Sequence, residues 1–200
     1  MNNADILGFA NALFCSVLAL IVAWNERRSV VHWAFVAGMV ALAAEGICFA
    51  LTADAADAGS PAGMVYWQNW RLVAMSFLPG IWLFFSLSYA RGNYSEFLKR
   101  WRFVLAAAFL MPIGLAILFG NDLIVSAGRT KTGHWMFGLG IPGIVLNLLF
   151  LLSSVLVLMN LERTYRAAVG TMLWRIKFMI LGLGVIFAVR AYVSKNHSQS

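Results

Sequence analysis

The chain has 200 residues, of which 62% are hydrophobic and 12% charged, with a mean hydropathy of +0.80. An ordinary globular chain is about half apolar and about a quarter charged, so a single aqueous core is excluded. Fifteen Lys and Arg stand against eight Asp and Glu, a formal net charge of +7, which suits nucleic acid or an anionic membrane until the charges are placed.

A helix needs about 20 mostly apolar residues to cross a hydrocarbon core about 30 Å thick. Six stretches meet or approach this: Ile6 to Trp24, Val30 to Leu51, Leu72 to Ala90, Phe103 to Phe119, Trp135 to Met159 and Phe178 to Val193. The expected fold is therefore all-α, a polytopic bundle of about six membrane helices over residues 1–193 with a short polar tail, 194–200. The first stretch lacks a basic n-region and a small-residue cleavage site, so it reads as a retained anchor rather than a signal peptide. Cys15 and Cys48 both lie in apolar runs, which supports neither a disulfide scaffold nor a metal cluster.

The segment Thr52 to Tyr66, rich in Ala, Asp, Gly and Ser with Pro61, reads as an exposed flexible loop. Trp24, Trp67, Trp70, Trp101, Trp135 and Trp174 fall at expected span ends, where an amphipathic ring suits the headgroup region. Pro79, Pro112 and Pro142 sit inside expected spans and should kink them. Gly138, Gly140, Gly143, Gly182 and Gly184 are expected within apolar helices, permitting close packing.

Ten of the fifteen basic residues lie in alternate connections: Arg27 and Arg28; Arg91, Lys99, Arg100 and Arg102; Arg163, Arg166, Arg175 and Lys177. Lys and Arg prefer the cytoplasmic side, so the N-terminus is expected outside, in company with Asp5, Asp54, Asp57 and Asp122. Topology thus accounts for the positive balance, and nucleic acid is not an expected partner. Six crossings from an outside start would leave the C-terminal tail outside as well, on the wrong side for a cytoplasmic output domain.

Catalytic chemistry is thinly supported. Ser76, Ser86, Ser88, Ser153 and Ser154 lack the glycine frame of a nucleophile elbow and read as hydroxyls bonding backbone or neighbouring helices. His32, His134 and His197 have no metal-ligand spacing. A Cys48, His134 and Arg190 constellation can be assembled, as can similar trios in many membrane chains. There is no nucleotide-binding glycine loop, and neither a cofactor nor a metal is expected.

Charge inside the spans is the sharper signal, because an unpaired charge at mid-bilayer costs from about 3 kcal/mol upwards. Glu45, Arg71 and Arg190 fall in one outer layer, with Trp70 and Tyr192 beside them, and a Glu45 ion pair to either arginine could line an outward-facing pocket. The default reading is that both arginines snorkel to headgroups while Glu45 is protonated or locally paired. Asn147, in the fifth span, reads as a helix-to-helix hydrogen bond.

The most specific text follows the fifth span: Leu161-Glu-Arg-Thr-Tyr-Arg166, then Trp174-Arg-Ile-Lys-Phe178 and the Gly-rich Ile180 to Gly184. This resembles the membrane-embedded N-terminal region of the sensor histidine kinases of the PEP-CTERM/exosortase system, over residues 1 to about 193. Glu162 and Arg166 form an i,i+4 pair, and Arg175 and Lys177 can meet anionic headgroups. Glu162, Arg163, Arg166, Trp174, Arg175 and Lys177 are then the candidate signal-relay segment. The resemblance implies a multi-pass protein of the bacterial inner membrane, a homodimer, answering a small ligand or envelope signal. The family's phospho-accepting His segment and ATP-binding motifs are absent from these residues, so the chain itself is expected to carry no kinase site, as a truncated or isolated sensor region. The alternative is a small six-helix transporter or channel, which pore-facing ionisable residues would favour; an intramembrane enzyme is disfavoured for want of a catalytic constellation.

Overall fold

The computed structural model describes residues 3–24, 29–89, 94–120, 122–129 and 135–167. Six helices and one hairpin occupy them: α1 (Asn3–Trp24), α2 (Val30–Asp57), α3 (Pro61–Ser76), α4 (Leu78–Ser88), α5 (Tyr94–Leu118), the strands β1 (Ile124–Arg129) and β2 (Trp135–Leu139), and α6 (Ile141–Ala167). Five helical segments among them are long and apolar enough to cross a membrane, α3 and α4 counting together as one 28-residue span. The protein is a multi-pass helical membrane bundle. The expected sixth span, Phe178 to Val193, and the tail lie outside the described residues.

Between helices in lipid there is little hydrophobic driving force, so association depends on close van der Waals packing and interhelical hydrogen bonds. α1 meets α2 through small residues: Gly8, Ala12, Cys15 and Ala19 on one side, Ala43, Gly46 and Ala50 on the other, all buried. A Cβ on Gly8 would come within 2.8 Å of Ala50 Cβ and 3.0 Å of the Gly46 carbonyl, so the two backbones touch and neither glycine has room for a side chain.

The expected loop from Thr52 to Tyr66 is mostly helix. Ala53, Ala55 and Ala56 have high helix propensity and carry α2 on to Asp57, leaving a turn of only Ala58, Gly59 and Ser60. Gly59 takes φ +64°, Ser60 Oγ caps α3 by accepting from Gly63 N at 3.2 Å, and Pro61 opens that helix where its missing N–H costs nothing. The third span thus starts at Pro61 rather than Leu72. Trp67 and Trp70 accordingly sit within α3 instead of at a span end.

Pro79 has no N–H to continue the ladder, and the span breaks at Phe77 into α3 and α4. α4 is the centre of the bundle, with nine of its eleven residues buried. It packs against α2, α5 and α6. Trp82 lies against Gly38 and edge-on to Phe35 and Phe85, at centroid distances of 6.2 and 5.7 Å. Gly80 admits the Phe109 ring of α5. Pro112 lies inside α5, which runs unbroken from Tyr94 to Leu118, while Pro142 lies in the first turn of α6, where it needs no kink.

The stretch from Trp135 to Gly140 is not part of a membrane helix. β1 and β2 pair antiparallel, Ile124 with Leu139 through Arg129 with Trp135, with a bulge between Ile124 and Ser126. Gly138 is therefore in a strand and Gly140 in the link to α6. The apolar run reads as span, but its glycines and Pro142 disfavour helix and its aromatic residues suit a strand. Gly140 N donates to Leu123 O at 3.1 Å, and backbone oxygens of Asp122 and Leu123 fill the space a Cβ would need at Gly140 and Gly143. The hairpin base is thereby clamped to the start of α6.

Candidate functional site

Glu45 stands 12 residues before the end of α2 and Arg71 stands 10 residues after the start of α3. At about 1.5 Å per residue, both lie about 15–18 Å from the tight turn that joins these antiparallel helices. The matched distances bring them to one level. Arg71 Nε donates to Glu45 Oε1 at 2.9 Å, with side-chain exposures of 20% and 9%. The default expectation that Arg71 snorkels alone is overturned: in a largely buried setting, meeting a carboxylate costs less than leaving either charge unpaired.

Two further groups hold the guanidinium. Arg71 Nη1 donates to Gln68 Oε1 at 3.4 Å, one turn back on α3, and the guanidinium carbon lies 5.0 Å from the centre of the Phe49 ring on α2. Glu45 itself is buried next to Gly46, whose backbone meets Gly8 and Ala12 of α1. Trp70 is exposed, and its ring meets Tyr66 at 6.4 Å. Arg190 and Tyr192 lie outside the described residues.

A second polar cluster was not anticipated. Asn160 Nδ2 on α6 donates to Ser86 Oγ on α4 at 3.1 Å, and Ser86 Oγ donates to Leu83 O at 2.9 Å. Thr164 Oγ1 donates to Asn160 O at 2.9 Å, and Leu161 and Thr164 are buried. Ser88 Oγ is buried with no hydrogen-bond partner among the described residues. Asn160 immediately precedes the Leu161 to Arg166 text, and its inward face could have been read from the 3–4 spacing of Asn160, Leu161 and Thr164 against exposed Glu162 and Arg163.

On the opposite face, Arg166 donates to Glu162 Oε1 from Nη2 at 2.6 Å and from Nε at 3.1 Å, the i,i+4 pair expected from the sequence. Both side chains are more than half exposed, so the pair contributes at most a few tenths of a kcal/mol, about 0.3–0.5. Trp174, Arg175 and Lys177 of the proposed relay segment, and two members of the Cys48, His134 and Arg190 trio, lie outside the described residues.

Other polar groups turn inward on their own helices. Asn147 Nδ2 donates to Gly143 O at 3.0 Å within α6, so it is not the helix-to-helix bond expected of it. Ser76 and Ser154 likewise donate to Val73 O and Phe150 O. The crevice between α4 and α6, bordered by Trp82, Phe150, Ser153 and Ser154, is too tight for a water. Among the described residues no group of three or more His, Cys, Asp or Glu could hold a metal ion.

These features define a polytopic membrane bundle with a buried ion pair and a polar stitch leading into a charged helix end. Residues 8–197 match the family described as the N-terminal 7TM region of histidine kinase, and the chain belongs to that family. Comparison with curated proteins and with solved structures finds no match.

Proposed function

We propose that the chain is the membrane input module of a two-component histidine kinase of the PEP-CTERM/exosortase type, acting as a homodimer in the bacterial inner membrane and answering an envelope signal or small ligand. The family match over residues 8–197 is the observation that carries the kinase-input reading. The narrower assignment rests on the text Leu161 to Arg166 and Trp174 to Phe178.

In this reading Glu45 and Arg71, with Trp70, Arg190 and Tyr192, form the sensory layer, and the segment from Glu162 to Lys177 passes the signal on. A change at the Glu45–Arg71 pair alters the α2–α3 hairpin. The break at Phe77 lets α4 answer as a separate piece, and the Ser86–Asn160 bond joins α4 to the start of the relay segment. Any such relay requires two packings of nearly equal free energy whose balance the signal tips. With the N-terminus outside, the Ala58–Ser60 turn and the hairpin face outward and Arg166 faces the cytoplasm.

The test is a chimera carrying residues 1–193 ahead of the dimerisation and ATP-binding domains of a histidine kinase of this family. Glu45→Gln and Asn160→Leu should each change the steady level of autophosphorylation in membrane vesicles. A chimera indifferent to both, while still folded and dimeric, would remove the proposal.

A further inference from the structure

Arg71 spends only part of its hydrogen-bonding capacity on the described residues. A guanidinium carries five N–H donors in a planar fork. One serves Glu45 from Nε and one serves Gln68 from Nη1, which leaves three on the Nη edge without a protein partner among the described residues. Gln68, having used Oε1 as acceptor, likewise has its Nε2 amide unpartnered among the described residues. The Arg71 side chain is 20% exposed, and neither of its Nη atoms is among the buried side-chain atoms that lack a partner.

The pairing with Glu45 runs through Nε alone, whereas the strongest carboxylate recognition uses two parallel N–H bonds. The two Nη groups, which can also bind an oxyanion side by side, keep donors without a partner among the described residues. An oxyanion that reaches this edge meets charged donors with no competing partner among the described residues, and charge-assisted bonds of that kind are the strong ones. Phe49 fixes one face of the guanidinium, which keeps the open edge in a set orientation.

The geometry points to an oxyanion-binding site formed by the Nη edge of Arg71 and the Nε2 amide of Gln68, at which the ligand's carboxylate or phosphate competes with Glu45 for the same cation. The site rests on the reading of the Glu45–Arg71 pair as the sensory layer. It deepens that reading by naming what the layer recognises. The same oxyanion chemistry is offered by a free anion and by a lipid-borne headgroup or fatty-acid carboxylate.

The full 200-residue chain in phosphatidylcholine nanodiscs is titrated in three arms: inorganic phosphate, sodium decanoate, and phosphatidylglycerol built into the disc. The readout is the midpoint of thermal unfolding, whose dependence on ligand concentration gives the affinity. Stabilisation in the phosphate arm identifies a free anion; stabilisation only with decanoate or phosphatidylglycerol identifies a lipid-borne one. Arg71→Lys keeps the charge but loses the fork and should weaken binding about tenfold. Glu45→Gln removes the competitor and should tighten binding at least about threefold. Should Arg71→Gln fail to fold, Glu45→Gln with Arg71→Gln leaves no uncompensated charge and should fold without responding to any arm. No stabilisation of the wild type in any arm, an equal response from the double variant, or weaker binding by Glu45→Gln would each overturn the site. Binding in the expected order by a chimera deaf to Asn160→Leu would remove the relay and leave the site standing; coupling without binding would do the reverse.

Discussion

Asn160 Nδ2 donates to Ser86 Oγ at 3.1 Å and so joins α6 to α4 across 74 positions of sequence. Ser86 keeps its bond to Leu83 O whichever way Asn160 turns, so the interhelical bond is an addition to a helix already satisfied. It can be made or lost without unravelling α4.

Side-chain hydrogen bonds between membrane helices contribute about 0.6 kcal/mol on average and up to about 1.7. Asn160→Ala and Ser86→Ala should each lower stability in detergent by about 1 kcal/mol, and the double variant by less than the sum of the two. Additive losses in a thermal or denaturant unfolding series would mean that the two side chains do not interact.

The Glu45–Arg71 pair should show much larger coupling. Removing one partner leaves the other charge buried, a loss of about 3–5 kcal/mol, while removing both as Glu45→Gln with Arg71→Gln should cost far less than the two losses together. The measurement is again unfolding in detergent. Equal destabilisation by the double variant and the sum of the singles would separate the residues energetically.

The close α1–α2 contact gives a sharp steric prediction. Gly8→Leu and Gly46→Leu push a side chain into the facing backbone and should each cost about 1–3 kcal/mol or prevent folding. Gly114→Leu on α5, where a Cβ meets nothing within 4 Å, should change the unfolding midpoint little. Equal sensitivity at Gly46 and Gly114 would contradict this packing.

Gly59 is the one described glycine whose φ, +64°, is hard for other residues. Gly59→Val should cost about 1–2 kcal/mol, and Gly59→Asn less, since Asn tolerates the left-handed region. Nothing lies within 4 Å of a Cβ there, so any difference between the two reports backbone conformation and not crowding.

The sequence was most legible where physics is one-dimensional. Span-length apolar runs and the Glu162–Arg166 pair depend on local spacing, and among the described residues the structure has five such spans and the pair. The segment from Thr52 to Tyr66 was misread because Asp, Gly and Ser mark a loop by composition, while the alanines among them favour helix. Trp135 to Gly140 was misread because a five-residue strand beside an apolar helix is indistinguishable from its first turns in a hydropathy window. Whether Glu45 would find Arg71 depended on the length of the α2–α3 turn, which sets the antiparallel register, and that was the quantity read wrongly. The spacing around Asn160 gives its inward face, but its partner Ser86 lies 74 positions away in another helix, which local spacing does not reveal.

α2 has 28 residues, a rod about 42 Å long, against a hydrocarbon core of about 30 Å. The apolar part, Val30 to Leu51, is about 33 Å long and matches the core, so the excess length projects into the headgroups. The six residues after Leu51 project about 9 Å, and they include Asp54 and Asp57. The turn at Gly59 is therefore carried beyond the lipid chains on a stiff stalk, and β1 of the hairpin rests against the neighbouring α3. Because α2 is one continuous helix, any tilt of it moves Glu45 and the Gly59 turn together as one lever.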